Sequence, residues 1–216
     1  MSKAVIFDHD GVIIDNQPAQ KKAWKKLFEE FGLNISDEEM SRKIRGRPTL
    51  VGLRNFFEDR FSESELVAIA KRKEELYVEI FKKDFKIVRG FNDLLIDLKK
   101  HNIPMAIATS TSSELLNLSM RRLEVKKFFD VIVTSEDITQ AKPDPQIYLL
   151  TANKLGVEPA DCLVFEDSFS GVLSARDACM KVVLVETTHK KSEFESGISL
   201  AINDFIGITA LDIINI

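Results

Sequence analysis

A chain of 216 residues has room for one large domain, or for one domain and a smaller module. With 44% hydrophobic and 30% charged residues it has the composition of a soluble globular protein and not of a disordered one, and its net charge of −4 argues against nucleic acid as the main partner. Cys162 and Cys179 are too few for a disulfide framework and lack metal-ligand spacing. No apolar stretch approaches the ~18 residues of a membrane helix, and the N-terminal residues lead into an apolar run without the marks of an export signal. The expectation is a cytoplasmic protein with reduced thiols and no membrane partner.

Residues 4–12, Ala-Val-Ile-Phe-Asp8-His9-Asp10-Gly11-Val12, come first in the chain and in importance. An apolar run of strand character ends in two carboxylates two positions apart. Side chains alternate along a strand, so Asp8 and Asp10 are expected on one side and His9 on the other, packed beneath the sheet. Two like charges held close repel, which a divalent cation relieves, with Mg²⁺ the natural choice for carboxylate oxygens. Asp and Gly also make ordinary turns, so this segment alone leaves both readings open.

After Asp15 the period changes. Trp24, Leu27, Phe28 and Phe31 lie at i, i+3, i+4 and i+7 on one helical face, which Pro18 can start and Gly32 can stop. Ser36-Asp-Glu-Glu39 and Ser62-Glu-Ser-Glu65 both have the pattern of capping boxes, the second opening a helix over Glu63 to Lys83. Residues 16–85 thus form an all-helical insert of four helices. The insert holds 15 Lys and Arg against 13 Asp and Glu, and the remainder 15 against 21. An acidic body suits a cation and a mildly basic insert suits an anionic ligand, although solvated helix faces explain much of the difference.

From Lys86 onward strands and helices alternate. Strands are expected at 104–109, 131–134, 163–166 and 181–185, with a short one around 198–202, and helices near 91–101, 112–124, 144–156 and 169–179. Apolar strands separated by helices imply a parallel sheet covered on both faces. Ligands in such sheets bind beyond the carboxyl ends of the strands. Those ends carry Asp8-His9-Asp10-Gly11, then Thr109-Ser110-Thr111-Ser112 opening a helix, then Glu166-Asp167-Ser168. Hydroxyls and N–H groups at a helix start suit a phosphate, with N-capping by Ser112 as the plainer role. Ala141-Lys142-Pro143-Asp144-Pro145 sets one lysine in a proline-stiffened loop.

Taken in order, these four segments resemble the haloacid dehalogenase superfamily. Within it, the chain is similar to the β-phosphoglucomutase-like phosphatases, which carry a helical cap inserted after the first strand. The resemblance implies a Rossmann-like α/β core over 1–15 and 86–216, and a cap over 16–85. It implies Asp8 as nucleophile, forming an aspartyl-phosphate, and Asp10 as general acid and base. Gly11, Thr109, Ser110 and Lys142 would serve the phosphoryl group. Mg²⁺ would lie on the Asp8 side chain, the Asp10 backbone carbonyl and Asp167, with Glu166 nearby or through water.

Two outcomes within the family compete. The mutase pattern has a cap histidine where this chain has Gln20, and an arginine where it has Thr49, although Arg47 lies close by. Lys73, in Ala70-Lys71-Arg72-Lys73 before Tyr77, matches a mutase position that touches the sugar phosphate. Gln20 cannot titrate as a histidine does, so hydrolysis of a small phosphorylated metabolite is the expected activity, with Gln20, Arg47 and Lys73 reading a sugar phosphate. A regulatory module on the same scaffold would lack one of the core residues, and none is missing. Haloacid dehalogenation needs no metal, and Glu166-Asp167 speaks against it. A monomer is the expected state.

Overall fold

A computed structural model of the chain describes residues 3–44, 49–83 and 86–216. Its contacts divide it into two compact units, Met1–Asp15 with Lys86–Ile216, and Asn16–Phe85.

The chain begins with β1 (Ala4–Phe7), every residue of which is buried, and makes a short β2 (Ile14–Asp15) before entering the helical unit. There, α1 (Gln17–Glu30), α2 (Asp37–Lys43), α3 (Thr49–Phe57) and α4 (Glu63–Lys83) are the four α-helices among the described residues. Pro18 sits in the first turn of α1, where its missing N–H costs nothing. Ser36 caps α2 in a full capping box with Glu39, whereas the Ser62 N–H and hydroxyl both donate to the Glu65 carboxylate. α1 packs against α4; α1 buries Ala19, Ala23, Trp24, Leu27 and Phe28, and the apolar stripe of α4 buries Leu66, Ile69, Leu76, Tyr77 and Phe81. Phe31 does not complete the α1 stripe as its spacing implied. The helix ends at Glu30, and Phe31 is 39% exposed beside Phe57 and Phe61.

β3 (Lys86–Ile87) pairs antiparallel with β2, so a two-stranded ribbon joins the outgoing and returning chain. Then follow α5 (Phe91–Lys100), β4 (Met105–Ala108), α6 (Ser113–Leu123), β5 (Val131–Val133), α7 (Gln146–Leu155), β6 (Cys162–Glu166), α8 (Phe169–Asp177), β7 (Lys181–Val185), β8 (Leu200–Ile202) and α9 (Ala210–Ile214). The expected parallel sheet is present, six strands in the order β5-β4-β1-β6-β7-β8, every pair parallel. Alternation divides its core. Ala4 and Ile6 join Val164, Leu184 and Tyr148 in one cluster, while Phe7 stacks on Phe165 with ring centroids 5.0 Å apart and meets Phe91 and Phe205 edge-on. The two central strands, β1 and β6, are flanked by pairing on both sides, so the residues just past their ends stand at the middle of the sheet's carboxyl edge. No helix among the described residues is long and apolar enough to cross a membrane.

Candidate active site

Asp8, Glu166 and Asp167 meet at that edge because β1 and β6 are neighbours in register, with Phe7 opposite Phe165. The Asp8 N–H donates to the Phe165 carbonyl, carrying the pairing one residue further. One oxygen from each of the three carboxylates lies within 4.8 Å of the others. Lys142, brought in by the loop before α7, donates from Nζ to Asp8 Oδ1 (2.8 Å), Glu166 Oε1 (2.7 Å), the Ala108 carbonyl (3.2 Å) and the Tyr148 hydroxyl (3.0 Å). Its side chain is 6% exposed, so this ammonium is desolvated and held by four partners.

Glu166 is saturated. Oε1 accepts from Lys142 and from the Tyr148 hydroxyl (2.8 Å), while Oε2 accepts from the Asp167 and Ser168 N–H groups and the Ser168 hydroxyl. Burial works to push its carboxyl up, yet the neighbouring Lys142 and these donors hold it below the usual range. Asp8 goes the other way. Burial, with Glu166 and Asp10 adding repulsion, outweighs Lys142 and pushes it up to about 7. Asp167 is likewise raised well above its ordinary value, by burial and then by the charges of Glu166 and Asp8. One lysine therefore faces three buried carboxylates, and the excess is negative.

That excess is the test of a metal site, and the residues fit. A cluster of carboxylate oxygens too close to be jointly ionised is a hard-donor set that a divalent cation such as Mg²⁺ would stabilise. Two glycines make room for it. A Cβ on Gly11, at φ +76°, would fall 1.8 Å from Asp167 Oδ2, and one on Gly171 would fall 1.7 Å from Glu166 Oε1. The Asp10 carboxylate stands apart from the three-carboxylate group. It is 35% exposed, accepts from the Thr111 hydroxyl at Oδ2, and has His9 Nδ1 at 3.5 Å from Oδ1. Burial pushes Asp10 up, but His9 and then Thr111 outweigh it and leave it below its ordinary value.

Thr109 is buried at the end of β4, where its hydroxyl accepts from the Thr111 N–H (3.1 Å), and Ser110 is exposed beside it. Ser112 is the N-cap residue of α6 but makes no side-chain capping bond. In the helical unit, Lys73 is only 3% exposed, although it lies on the apolar stripe of α4. Its ammonium donates to Gln20 Oε1 and lies over the rings of Trp24 (5.5 Å) and Tyr77 (5.1 Å). Arg47 lies outside the described residues.

His9 departs from the alternation argument. β1 ends at Phe7, and beyond it the backbone turns, with the Ile13 and Ile14 N–H groups both donating to the His9 carbonyl. The ring is buried as expected, but its edge faces Asp10 and its Nε2 meets Ser119 on α6.

Three residues at the site were not singled out by motif. Tyr148 bridges Lys142 and Glu166, and Thr187 and Thr188, past the end of β7, put hydroxyls on Asp167 Oδ2. Thr187 also donates to the Gly11 carbonyl (2.6 Å). The strand-end rule reaches the threonines, since β7 is a neighbour of β6. Tyr148 is the polar aromatic on the buried face of α7, six residues after Lys142.

Residues 5–185 match the family model described as haloacid dehalogenase-like hydrolase. A phosphorylated carbohydrates phosphatase of Thermotoga maritima is 37% identical over 82% of this chain and 81% of its own. A β-phosphoglucomutase of Bacillus subtilis is 32% identical over 84% and 82%. A crystal structure of a HAD hydrolase, family IA, from Entamoeba histolytica superposes with a TM-score of 0.86 at 30% identity, covering 100% of this chain and 98% of that one. With its sheet order, inserted helices and buried carboxylate–lysine edge, the chain belongs to the haloacid dehalogenase-like hydrolases and, among these enzymes, to the β-phosphoglucomutase-like group.

Proposed function

We propose that this chain is a Mg²⁺-dependent phosphatase of small phosphorylated metabolites, sugar phosphates foremost, working through an aspartyl-phosphate on Asp8. The observation that carries the reading is Lys142 donating to both Asp8 and Glu166 beside Asp167. A dianionic phosphate cannot approach a carboxylate nucleophile unless positive charge offsets the repulsion.

In the first step an Asp8 oxygen attacks phosphorus in line as the bond to the leaving oxygen breaks. Asp10, carrying the proton it gains from water in the second step of the preceding turnover, gives it to that oxygen, and the alcohol departs. In the second, Asp10 takes a proton from water, water oxygen bonds to phosphorus, and the bond to Asp8 breaks. Asp8 returns as carboxylate and inorganic phosphate leaves. Lys142 and the Thr109–Ser110 segment hold phosphoryl oxygens, while Gly11 leaves space for Asp167. Asp8, Asp167 and the Asp10 carbonyl, with Glu166 behind them, would hold Mg²⁺, which would supply charge neutralisation between phosphate and carboxylates. Glu166, saturated by five donors, orients Lys142 and the loop that carries Asp167. Gln20, Lys73 and Arg47 are assigned to the sugar end of the substrate.

A panel of phosphorylated metabolites, assayed for inorganic phosphate with Mg²⁺ and with chelator, tests this reading. Turnover is expected only with the metal, and folded Asp8→Ala should show none. Comparable turnover by Asp8→Ala would remove the nucleophile. A second reading, sugar phosphomutase, is favoured by Lys73 and by the 32% identity to a β-phosphoglucomutase. Efficient conversion of β-glucose 1-phosphate to glucose 6-phosphate, primed by the bisphosphate, would establish it in place of hydrolysis.

A further inference from the structure

We propose that His9 is a positioning residue for Asp10, with Ser119 holding its ring from behind. The inference rests on the reading of Asp10 as the acid–base group.

The imidazole is 1% exposed, in a place where an aliphatic or phenyl side chain would pack without any polar group to satisfy. Its backbone is pinned by two N–H donors at the carbonyl, from Ile13 (2.9 Å) and Ile14 (3.1 Å). Its ring is pinned at the far side, where Nε2 lies 2.7 Å from Ser119 Oγ. The Ser119 hydroxyl donates to the Leu116 carbonyl one turn back (2.8 Å), so its proton is committed and Nε2 is the donor in the His9–Ser119 pair. Nδ1 is left buried, with no hydrogen-bond partner at ordinary distance, and it faces Asp10 Oδ1 at 3.5 Å. The contact is long for a hydrogen bond and sets the buried edge of the imidazole against Oδ1. Hydrogen bonds of this kind are often long before substrate arrives and tighten in the reacting complex.

The two carboxyl oxygens of Asp10 are thus held separately. Oδ2 accepts from the Thr111 hydroxyl, and Oδ1 meets His9. Two anchors fix the plane of a carboxyl group that is otherwise one-third open to solvent, and a proton donor must be aimed at the leaving oxygen to be of use. Without His9, Oδ1 loses the buried ring edge that stands beside it.

The test uses leaving groups. Phenyl phosphate and 4-nitrophenyl phosphate are nearly alike in shape, but phenolate needs a proton far more than 4-nitrophenolate does, so only the first depends strongly on Asp10. Relative to wild type, His9→Leu should lower kcat/KM on phenyl phosphate about tenfold or more, a share of the hundredfold or greater worth of an acid–base group. On 4-nitrophenyl phosphate the loss should stay within about threefold. His9→Asn, whose amide nitrogen falls near the place of Nδ1, should recover most of the loss. His9→Gln, whose amide nitrogen falls near Nε2 and serves only Ser119, should not. Equal losses on both substrates in His9→Leu, or equal behaviour of the Asn and Gln variants, would overturn the proposal. The Asn and Gln pair decides it even if the leucine variant does not fold. Asp10→Asn, measured alongside, separates the two claims. If it discriminates between the substrates and the His9 variants do not, His9 alone is wrongly assigned. If Asp10→Asn does not discriminate either, the acid–base reading falls and takes the His9 proposal with it.

Discussion

Each of the two units buries a lysine, and each does so differently. In the sheet unit, Lys142 reaches two carboxylates, a carbonyl and a phenol, all placed by strand ends and the loops that follow them. In the helical unit, Lys73 lies on a helix face otherwise made of leucine, isoleucine and aromatic side chains, with the Gln20 amide and the faces of Trp24 and Tyr77 around it. The first environment is anionic and closely specified. The second is softer, with two aromatic faces and the Glu74 carboxylate (Oε2) 3.7 Å from the ammonium, which suits a residue assigned to recognition. The proposed phosphoryl chemistry is thus assigned to a closely specified sheet edge, and the proposed reading of the sugar to side chains on helices.

Removing each lysine breaks or sharpens that contrast. Lys142→Met leaves Asp8 and Glu166 buried without their cation, which should cost about 3–5 kcal/mol of stability. Turnover should fall on the order of a hundredfold or more for the folded fraction, as expected when a charge donor to the reacting group is lost. Denaturant melts and steady-state kinetics on the same preparation check both, and a stable, active Lys142→Met would refute the contrast.

Two glycines make the same comparison without charge. The Cβ of Gly171→Ala would fall 1.7 Å from Glu166 Oε1, whose oxygens have no slack, so destabilisation of about 1–3 kcal/mol is expected. Gly52→Ala in α3 would place its Cβ 3.5 Å from Ile44 and Trp24, an ordinary contact. Because alanine is the better helix former, that variant should be neutral or up to about 1 kcal/mol more stable. Equal destabilisation in thermal melts of the two variants would contradict the account of a saturated sheet edge.

Lys73→Met keeps the buried volume and loses the charge, so it is expected to have the smallest effect. It should raise KM for the natural sugar phosphate several-fold with kcat nearly intact, since uniform binding is lost. Hydrolysis of 4-nitrophenyl phosphate should be almost unchanged. A fall in kcat on both substrates would show that Lys73 takes part in the chemistry.

The parallel sheet was legible because buried strands are written as unbroken apolar runs, from Ala4 to Phe7 and from Val182 to Val185, and because carboxylates and hydroxyls follow them directly, with Lys142 set in a proline-stiffened loop. Asp8, Lys142, Glu166 and Asp167 could be picked out for that reason, and the fold brings them together. Tyr148 and Thr188 could not be read in the same way. Tyr148 looks like a core aromatic until α7 is seen packed beside Glu166, and Thr188 reaches Asp167 only through the adjacency of β7 and β6. His9 is buried as expected, but its approach to Asp10 was not legible because strand alternation was carried two residues past the end of β1. The Gln20–Lys73 pair spans 53 positions and two helices, a distance over which helical periodicity gives a face but not a partner.

The central claim is that the phosphoryl group rests on Asp8 between substrate and water. Rapid acid quench during turnover, digestion and mass spectrometry would locate it directly. The account predicts one phosphoryl group on the Asp8–Asp10 peptide, lost with hydroxylamine, absent in Asp8→Ala, and longer-lived in Asp10→Asn. Full phosphate release with no phosphorylated peptide at any quench time, or a label on another residue, would contradict it.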